Sequence, residues 1–180
     1  MFACDRWAEE GCAPDIIATA KSIAGGVPLS ACTARTEIFD AVVPGTMGGT
    51  FGGNAIACAA ALKVIEIMER DNLPARGAEI GEACMETFLR WKQSYEVVGD
   101  VRGLGCMMGI EFVTDKASKT PNPQLVNALL QECYRHGLLI ENAGSYGNVV
   151  RFLAPLVITD AQLKAGLEIL EQAIITCTRG

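Results

Sequence analysis

Histidine is nearly absent from this sequence of 180 residues, which contains only His136. Eight cysteines are spread along the chain, and no two of them form a Cys-x-x-Cys pair. Structural zinc sites use clustered cysteine and histidine ligands, so the sequence predicts no metal site. A nucleophilic cysteine is also disfavoured, because no histidine partner can be assigned to it. We interpret the cysteines as buried, reduced thiols that pack the interior.

Long apolar runs and clusters of basic residues are absent as well. No stretch of about 18 apolar residues is present, so we expect no transmembrane helix and no membrane partner. The first residues lack the basic-then-apolar pattern of a signal peptide. The net charge is −6 without a basic stripe, which disfavours nucleic acid as a partner. Together with the reduced cysteines, these absences predict a cytoplasmic protein.

A lysine at the end of an apolar run is the most informative feature that the sequence does contain. Residues 15–20 predict a short, fully buried strand. Lys21 follows this strand directly and opens a glycine turn over residues 22–28. One interpretation is an ordinary solvated lysine at a strand end. The other is a lysine that loses its proton beside flexible backbone and attacks a carbonyl carbon.

Periodicity and capping signals outline the other elements. Asn54 is a predicted N-cap, and Thr159 with Gln162 forms a predicted capping box. A break at residues 71–74 precedes an amphipathic helix that we expect to link two parts of the chain. The predicted helices cover residues 36–41, 55–69, 75–95, 124–136 and 160–176, and the other predicted strands cover residues 29–34, 106–113, 138–141 and 149–153.

Four sequence blocks occur in an order and at spacings that resemble class III aminotransferases, which are pyridoxal-phosphate enzymes of fold type I. The first block, residues 14–31, is the lysine region, and the second, residues 48–54, is a Gly-Gly-Thr-Phe-Gly-Gly-Asn turn. The third, residues 99–111, contains Val-Arg-Gly-Leu-Gly, whose Arg102 we interpret as structural. The fourth, residues 146–156, resembles the substrate-carboxylate segment of the 4-aminobutyrate branch.

The resemblance implies an α/β fold that corresponds to the C-terminal part of a fold type I transferase. Residues 1–70 would be the tail of the large cofactor-binding α/β domain, residues 71–98 a linking helix, and residues 99–180 the small α+β domain. Met1 aligns with an interior position of the family. We therefore expect the chain to be a fragment without the family's main phosphate turn, the aromatic residue stacked on the cofactor, and the aspartate paired with its pyridine nitrogen.

The same resemblance implies roles for individual residues. Lys21 would hold pyridoxal 5′-phosphate covalently and then move a proton between substrate and cofactor. Gly49 and Thr50 would bind the cofactor phosphate, with Thr50 reaching the active site of the neighbouring subunit in a homodimer. Arg151 would clamp a substrate carboxylate, with Tyr146 and Asn148 near the same opening. The alternatives are a turn without a ligand at Gly49 and Thr50, and a surface ion pair at Arg151.

The implied reaction is transfer of an ω-amino group, of the 4-aminobutyrate type, to 2-oxoglutarate, so the expected partners are amino-acid and oxo-acid substrates. Alternatives on the same scaffold are an ornithine or diamine aminotransferase and an amino-acid racemase. A further alternative is a non-catalytic fragment that needs a partner chain. We expect the fragment alone to be inactive.

Overall fold

The computed structural model describes residues 2 and 4–178. The chain divides into two compact units, the first ending at Asn72 and the second beginning at Leu73. No helix in the described residues is both long and apolar enough to cross a membrane. The first unit contains α1 (Cys4–Glu9), β1 (Ile16–Thr19), β2 (Ala31–Ala34), α2 (Thr36–Asp40) and α3 (Ala55–Arg70). The second contains α4 (Leu73–Ser94), β3 (Val98–Leu104), β4 (Met107–Phe112), α5 (Pro123–Arg135), β5 (Glu141–Ala143), β6 (Val149–Leu153) and α6 (Asp160–Thr178).

The first unit is built on a two-stranded antiparallel ribbon, in which Ile16 of β1 lies opposite Ala34 of β2. A 3₁₀ turn over Lys21–Ala24 follows β1 and packs against α3. The buried side chains among the described residues of this unit are small, namely Ala24, Ala57 and Ala61. The unit therefore has little apolar core of its own.

The prediction of a fully buried strand over residues 15–20 is wrong. β1 alternates between exposed and half-buried positions, and Ile16 is 55% exposed. The reason is that β1 pairs only with β2 in a two-stranded sheet. The α3 helix also leaves large apolar side chains exposed, since Ile56 is 76% and Leu62 is 70% exposed.

The second unit is a four-stranded antiparallel sheet with the strand order β3–β4–β6–β5. Alternate residues of β4 point to opposite faces: Met108, Ile110 and Phe112 are buried, whereas Met107 on the other face is 57% exposed. The helices pack against the buried face, where the core includes Ile80, Cys84, Phe88, Trp91, Leu129, Leu170 and Ile174.

The structure assigns α4 to the second unit, whereas the sequence suggested a separate linking helix over residues 71–98. The difference has a simple cause, because the apolar stripe of α4 is buried in the core of that unit. Its residues Ile80, Cys84, Phe88 and Trp91 are each 0% exposed. The helix is therefore part of a packed layer.

Local capping signals were predicted more accurately than strand positions. The amide of Gln162 donates to Thr159 Oγ1 at 3.2 Å, and the amide of Thr159 donates to Gln162 Oε1 at 3.1 Å, which confirms the capping box.

The strand expected over residues 138–141 instead lies at Glu141–Ala143. The sequence did not predict β3, because glycine weakens a strand pattern. Gly103 is needed there, since a Cβ would lie 2.5 Å from the backbone oxygen of Met107.

Candidate functional site

Lys21 has an unusual backbone conformation. Ala20 is extended, with φ −159° and ψ −163°, and Lys21 then turns into the left-handed region at φ 57°. This conformation costs an L-amino acid about 1–2 kcal/mol. The turn ends at Gly25, also left-handed at φ 61°, where a Cβ would contact Val64 of α3 at 3.4 Å. A strained residue at a binding site supports a functional hypothesis when the surrounding structure holds it in place.

The glycine-rich segment that precedes α3 is a turn held at the N-terminus of this helix. The amide of Gly52 donates to the carbonyl oxygen of Gly49 at 2.9 Å. Asn54 Oδ1 then accepts hydrogen bonds from two first-turn amides of α3, each at 3.1 Å, so the predicted N-cap is confirmed. Gly49 and Thr50 are therefore positioned by the start of α3, the helix against which the Lys21 turn packs.

These two segments line one open cavity of about 1010 Å³ inside the first unit. Lys21, Gly49 and Thr50 all lie on its wall, so the structure brings three of the four predicted site residues together. A Cβ at Gly48 or Gly49 would meet nothing within 4 Å, which leaves the glycine wall open. The cavity can present an amine, a hydroxyl and backbone amides to one molecule, and amides with a hydroxyl suit an oxyanion.

Arg151 belongs to the second unit, on β6. It lies opposite Glu141 of β5 and opposite Gly109 of β4. Its Nη2 forms an ion pair with Glu141 Oε2. Arg151 and Glu141 line a cavity of about 400 Å³ whose remaining wall is mostly apolar. The ion pair considered in the sequence analysis is therefore present, on the wall of a cavity.

The two polar residues expected near Arg151 have different environments. Tyr146 is 71% exposed. Asn148 is 3% exposed, and its Nδ2 donates to the carbonyl oxygen of Phe112 at 3.0 Å. The amide of Phe112 donates back to the carbonyl oxygen of Asn148 at 2.7 Å. Asn148 thus joins the end of β4 to the loop before β6, and neither residue is on the wall of the Arg151 cavity.

Glu141 is a residue of this site that the sequence analysis missed. It stands ten positions before Arg151, and only the pairing of β5 with β6 places the two residues opposite each other. The available signal was a pair of opposite charges on either side of a glycine-containing turn, with Gly144 and Gly147 at positive φ. Predicting the contact would have required the strand register.

Arg102 is held within a group of charges on its own strand, β3, and on the neighbouring strand, β4. Its Nη1 bonds Glu111 Oε2 at 2.7 Å and Asp100 Oδ2 at 3.1 Å. These carboxylates, Glu111 foremost, raise the pKa of Arg102. Both partners belong to the same sheet, which agrees with the structural role expected for Arg102.

The cysteines form no disulfide, and all eight are within the described residues. Burial raises the pKa of Cys84 to about 11 and that of Cys133 to about 12. A thiol with such a pKa is protonated near neutral pH and is a poor nucleophile. These two cysteines are packing residues, as the sequence suggested. The same interpretation is wrong for Cys12 and Cys32, which are exposed, and the other four cysteines are half-buried.

The family model named Aminotransferase class-III matches residues 1–174 of this chain. The chain belongs to the class-III aminotransferase family. The resemblance noted from the four sequence blocks is therefore confirmed, and the lysine turn, the glycine turn and the arginine strand all fall inside the matched region.

Curated relatives and solved structures agree with this family. The chain is 43% identical to a 4-aminobutyrate aminotransferase of Escherichia coli over 96% of its own length and 40% of the relative's. It is 44% identical to a 5-aminovalerate aminotransferase of Pseudomonas putida, over 90% of the chain and 38% of the relative. The chain thus spans about 40% of the length of these relatives.

The structural comparison confirms the predicted fold class. A Bacillus anthracis aminotransferase superposes with a TM-score of 0.83 at 34% identity, over 91% of this chain and 39% of the other. An amine transaminase from an uncultivated Pseudomonas species, solved with pyridoxal phosphate bound, gives 0.84 at 32% identity, over 94% and 40%.

Proposed function

We propose that this class-III chain supplies the cofactor lysine and the substrate arginine of a pyridoxal-phosphate-dependent aminotransferase. The observation that carries the proposal is the shared cavity of Lys21, Gly49 and Thr50, with Lys21 on a left-handed backbone. A strained lysine that faces a glycine-rich, oxyanion-compatible turn fits a cofactor with an aldehyde and a phosphate. Membership of the aminotransferase family supports the reaction class.

The residues of the cavity fit pyridoxal phosphate by their chemistry. Lys21 Nζ is the amine for the aldehyde group, and the Thr50 hydroxyl with the backbone amide of Gly49 suits the phosphate. When bound, pyridoxal phosphate supplies the electron sink that amino-acid side chains lack. In the proposed reaction, Lys21 Nζ, once substrate has displaced it from the aldehyde group, would take the proton from the substrate carbon and pass it on to the cofactor, which is general base and acid catalysis by one group.

The proposed substrates are amines that also carry a carboxylate. A planar guanidinium forms two parallel hydrogen bonds with a carboxylate, and this is the proposed role of Arg151. Relatives named for 4-aminobutyrate and for 5-aminovalerate are similar to this chain to the same degree. The proposed donor is therefore an ω-amino acid of this type, and the proposed acceptor is 2-oxoglutarate.

Two features of assembly and location complete the proposal. The complete enzyme is a homodimer, an arrangement supported by the resemblance of the glycine turn to that of the family. It is cytoplasmic, which the eight free thiols support. The chain by itself binds the cofactor weakly and is inactive, since it spans about 40% of its relatives' length.

The test is to trap the cofactor on the 180-residue chain. The chain is incubated with limiting pyridoxal phosphate, reduced with borohydride, digested and mapped by mass spectrometry. We expect the stable adduct mainly on Lys21. Lys119 is a matched control, because it is also exposed and also has a left-handed backbone, at φ 53°. Equal labelling of Lys119 and Lys21 would show that exposure alone selects the lysine, and the proposal would fail.

A further inference from the structure

The antiparallel pairing of β5 with β6 stops early at one end. It begins with Ala143 opposite Val149 and ends with Glu141 opposite Arg151. Continued in the same register, it would place residues 138–140 opposite residues 152–154. No such pair forms between these described residues, although the sequence predicted a strand over residues 138–141. The two segments therefore diverge beyond Glu141.

The cavity beside Arg151 is the opening between these diverging segments. Residues 138–140 line one side of it and residues 152–154 line the other. Ile158 and the first turns of α6 also line it, and Leu163 of α6 is buried there. On the far side of β6, Leu153 still lies opposite Met107 of β4. The edge of β6 that faces the opening therefore lacks a neighbouring strand over these described residues.

The size of the opening matches a short piece of extended chain. In packed sheets a strand takes up about 4.8 Å by about 10 Å in cross-section and advances about 3.3 Å per residue, so each residue fills about 160 Å³. The cavity of about 400 Å³ therefore has room for about two to three residues of a strand. The three unpaired positions on either side offer the same length of edge.

The side chains around the opening favour an apolar occupant. Leu139 and Leu153 are 80% and 53% exposed, while Phe152 is buried toward the core. Of the described residues that line the opening, the charged ones are Glu141 and Arg151, and these already pair with each other. A charged segment would lose hydration there without gaining a partner. An unpaired strand edge, by contrast, is a template for the backbone of another chain.

We propose that the opening binds an extended, apolar and uncharged segment of a partner polypeptide, which inserts as a strand between β6 and residues 138–140. In such β-augmentation, main-chain hydrogen bonds supply affinity and the contacts of alternate side chains supply specificity. β-Branched residues suit the inserted segment, because they pack well on both faces of a pleated strand. This inference is independent of the roles proposed for Lys21 and Arg151.

The experiment titrates the capped peptide acetyl-Thr-Val-Ile-Val-Thr-amide into the 180-residue chain and follows the backbone amides by NMR. We expect saturable shifts centred on Leu139, Ile140 and Leu153. A second peptide with proline in place of the central isoleucine lacks one main-chain donor. It should bind about fivefold more weakly, the loss expected for one hydrogen bond.

A pair of matched variants tests where the peptide binds. Leu139→Lys places a charge at the rim of the opening and should weaken binding by about two- to fivefold, the range expected for one cross-strand contact. Leu104→Lys is the control, because Leu104 is an exposed leucine of the same sheet on β3, at the opposite edge. It should leave binding unchanged. Both positions are exposed, so neither variant should shift the unfolding midpoint.

Three outcomes would overturn the inference. The first is the absence of saturable shifts at the opening. The second is equal binding of the proline peptide or equal weakening by Leu104→Lys, which would indicate unspecific adsorption to apolar surface. The third is a set of shifts at the same amides that grows with protein concentration in the absence of peptide, because a second copy of the chain would then occupy the opening. Cofactor trapping on Lys21 is read separately, so its failure would not affect these outcomes.

Discussion

Replacing Lys21 with glycine should stabilise the first unit while it removes the proposed cofactor attachment point. The backbone of Lys21 is left-handed at φ 57°, a region that glycine enters without the steric cost paid by other residues. The side chain is exposed, so its removal sacrifices little packing. The substitution therefore separates the strain of the backbone from the chemistry of the amine.

The magnitude follows from two opposing contributions. Relief of the left-handed conformation is worth about 1–2 kcal/mol. The added flexibility of glycine in the unfolded chain costs about 0.5–1 kcal/mol. The net gain is about 0–1.5 kcal/mol, and its centre of about 0.75 kcal/mol corresponds to about three- to fourfold slower opening of the turn.

Amide hydrogen exchange read by NMR measures this opening locally. The reporters are the amides of Ile23 and Gly25, which donate to the carbonyl oxygens of Ala20 and Ser22 at 3.3 Å and 3.0 Å. Both amides should exchange more slowly in Lys21→Gly, and borohydride trapping of the cofactor should be lost.

Lys119→Gly is the matched control in the second unit, at φ 53°. It should slow exchange of the Thr114 amide, which donates to the Thr120 carbonyl oxygen, and leave trapping on Lys21 unchanged. If Lys119→Gly protects its loop while Lys21→Gly speeds exchange of its own turn, the lysine side chain holds that turn in place. The strain argument would then be refuted.

Three further predictions concern the substrate arginine, the thiols and the apolar surface. In the complete enzyme, Arg151→Lys should raise the KM of carboxylate-bearing substrates at least about tenfold, because a charge-assisted hydrogen bond is worth about 1.5–3 kcal/mol; an equal loss with a carboxylate-free amine would contradict the clamp. Iodoacetamide at pH 8 should modify exposed Cys32 and spare Cys133, whose pKa is about 12. The Cys133 thiol ionises near pH 9.0 in the unfolded chain but stays protonated in the folded one, so the free energy of unfolding should fall as the pH rises above 9.0. An unfolding midpoint that does not change with pH in this range would contradict the burial argument. The chain should self-associate through its exposed apolar surface, so light scattering should show an apparent mass that increases with protein concentration. Serine at Ile56 and Leu62 should reduce this increase, and a monomer at all concentrations would refute the prediction.

The elements that could be predicted from sequence are those whose signals are local. The cap at Asn54 and the capping box at Thr159 depend on neighbouring residues, and both are present as hydrogen bonds. The burial of β1 was not predictable in this way, because it depends on which layers cover the strand. β3 was missed for a related reason: Gly103 lowers its strand propensity, but close packing against β4 requires a glycine there.

The same distinction between local and long-range signals applies to the residues of the candidate site. Lys21 and Thr50 are 29 positions apart and lie on one cavity wall, a placement that no short-range pattern predicts. The resemblance to the family instead implied that Thr50 reaches the neighbouring subunit. The ion pair of Arg151 with Glu141 depends on strand register. Register is set by the turn between the strands and by the burial of one face, neither of which a ten-residue charge spacing specifies.

The two candidate binding elements are supported by different amounts of packing. α3 supports both segments of the Lys21 cavity, through its capped N-terminus and its contact with the lysine turn. A cap contributes about 1 kcal/mol, and the described core of this unit is three alanines. Arg151 instead lies on a strand whose neighbours Val150 and Phe152 are buried in a core of large side chains. The first unit should therefore open more readily than the second, because local opening is easiest where few apolar contacts are broken. A cofactor bound through Lys21 and Thr50 would add contacts to the less stable unit, so its binding should protect the lysine turn from exchange more than it protects β6.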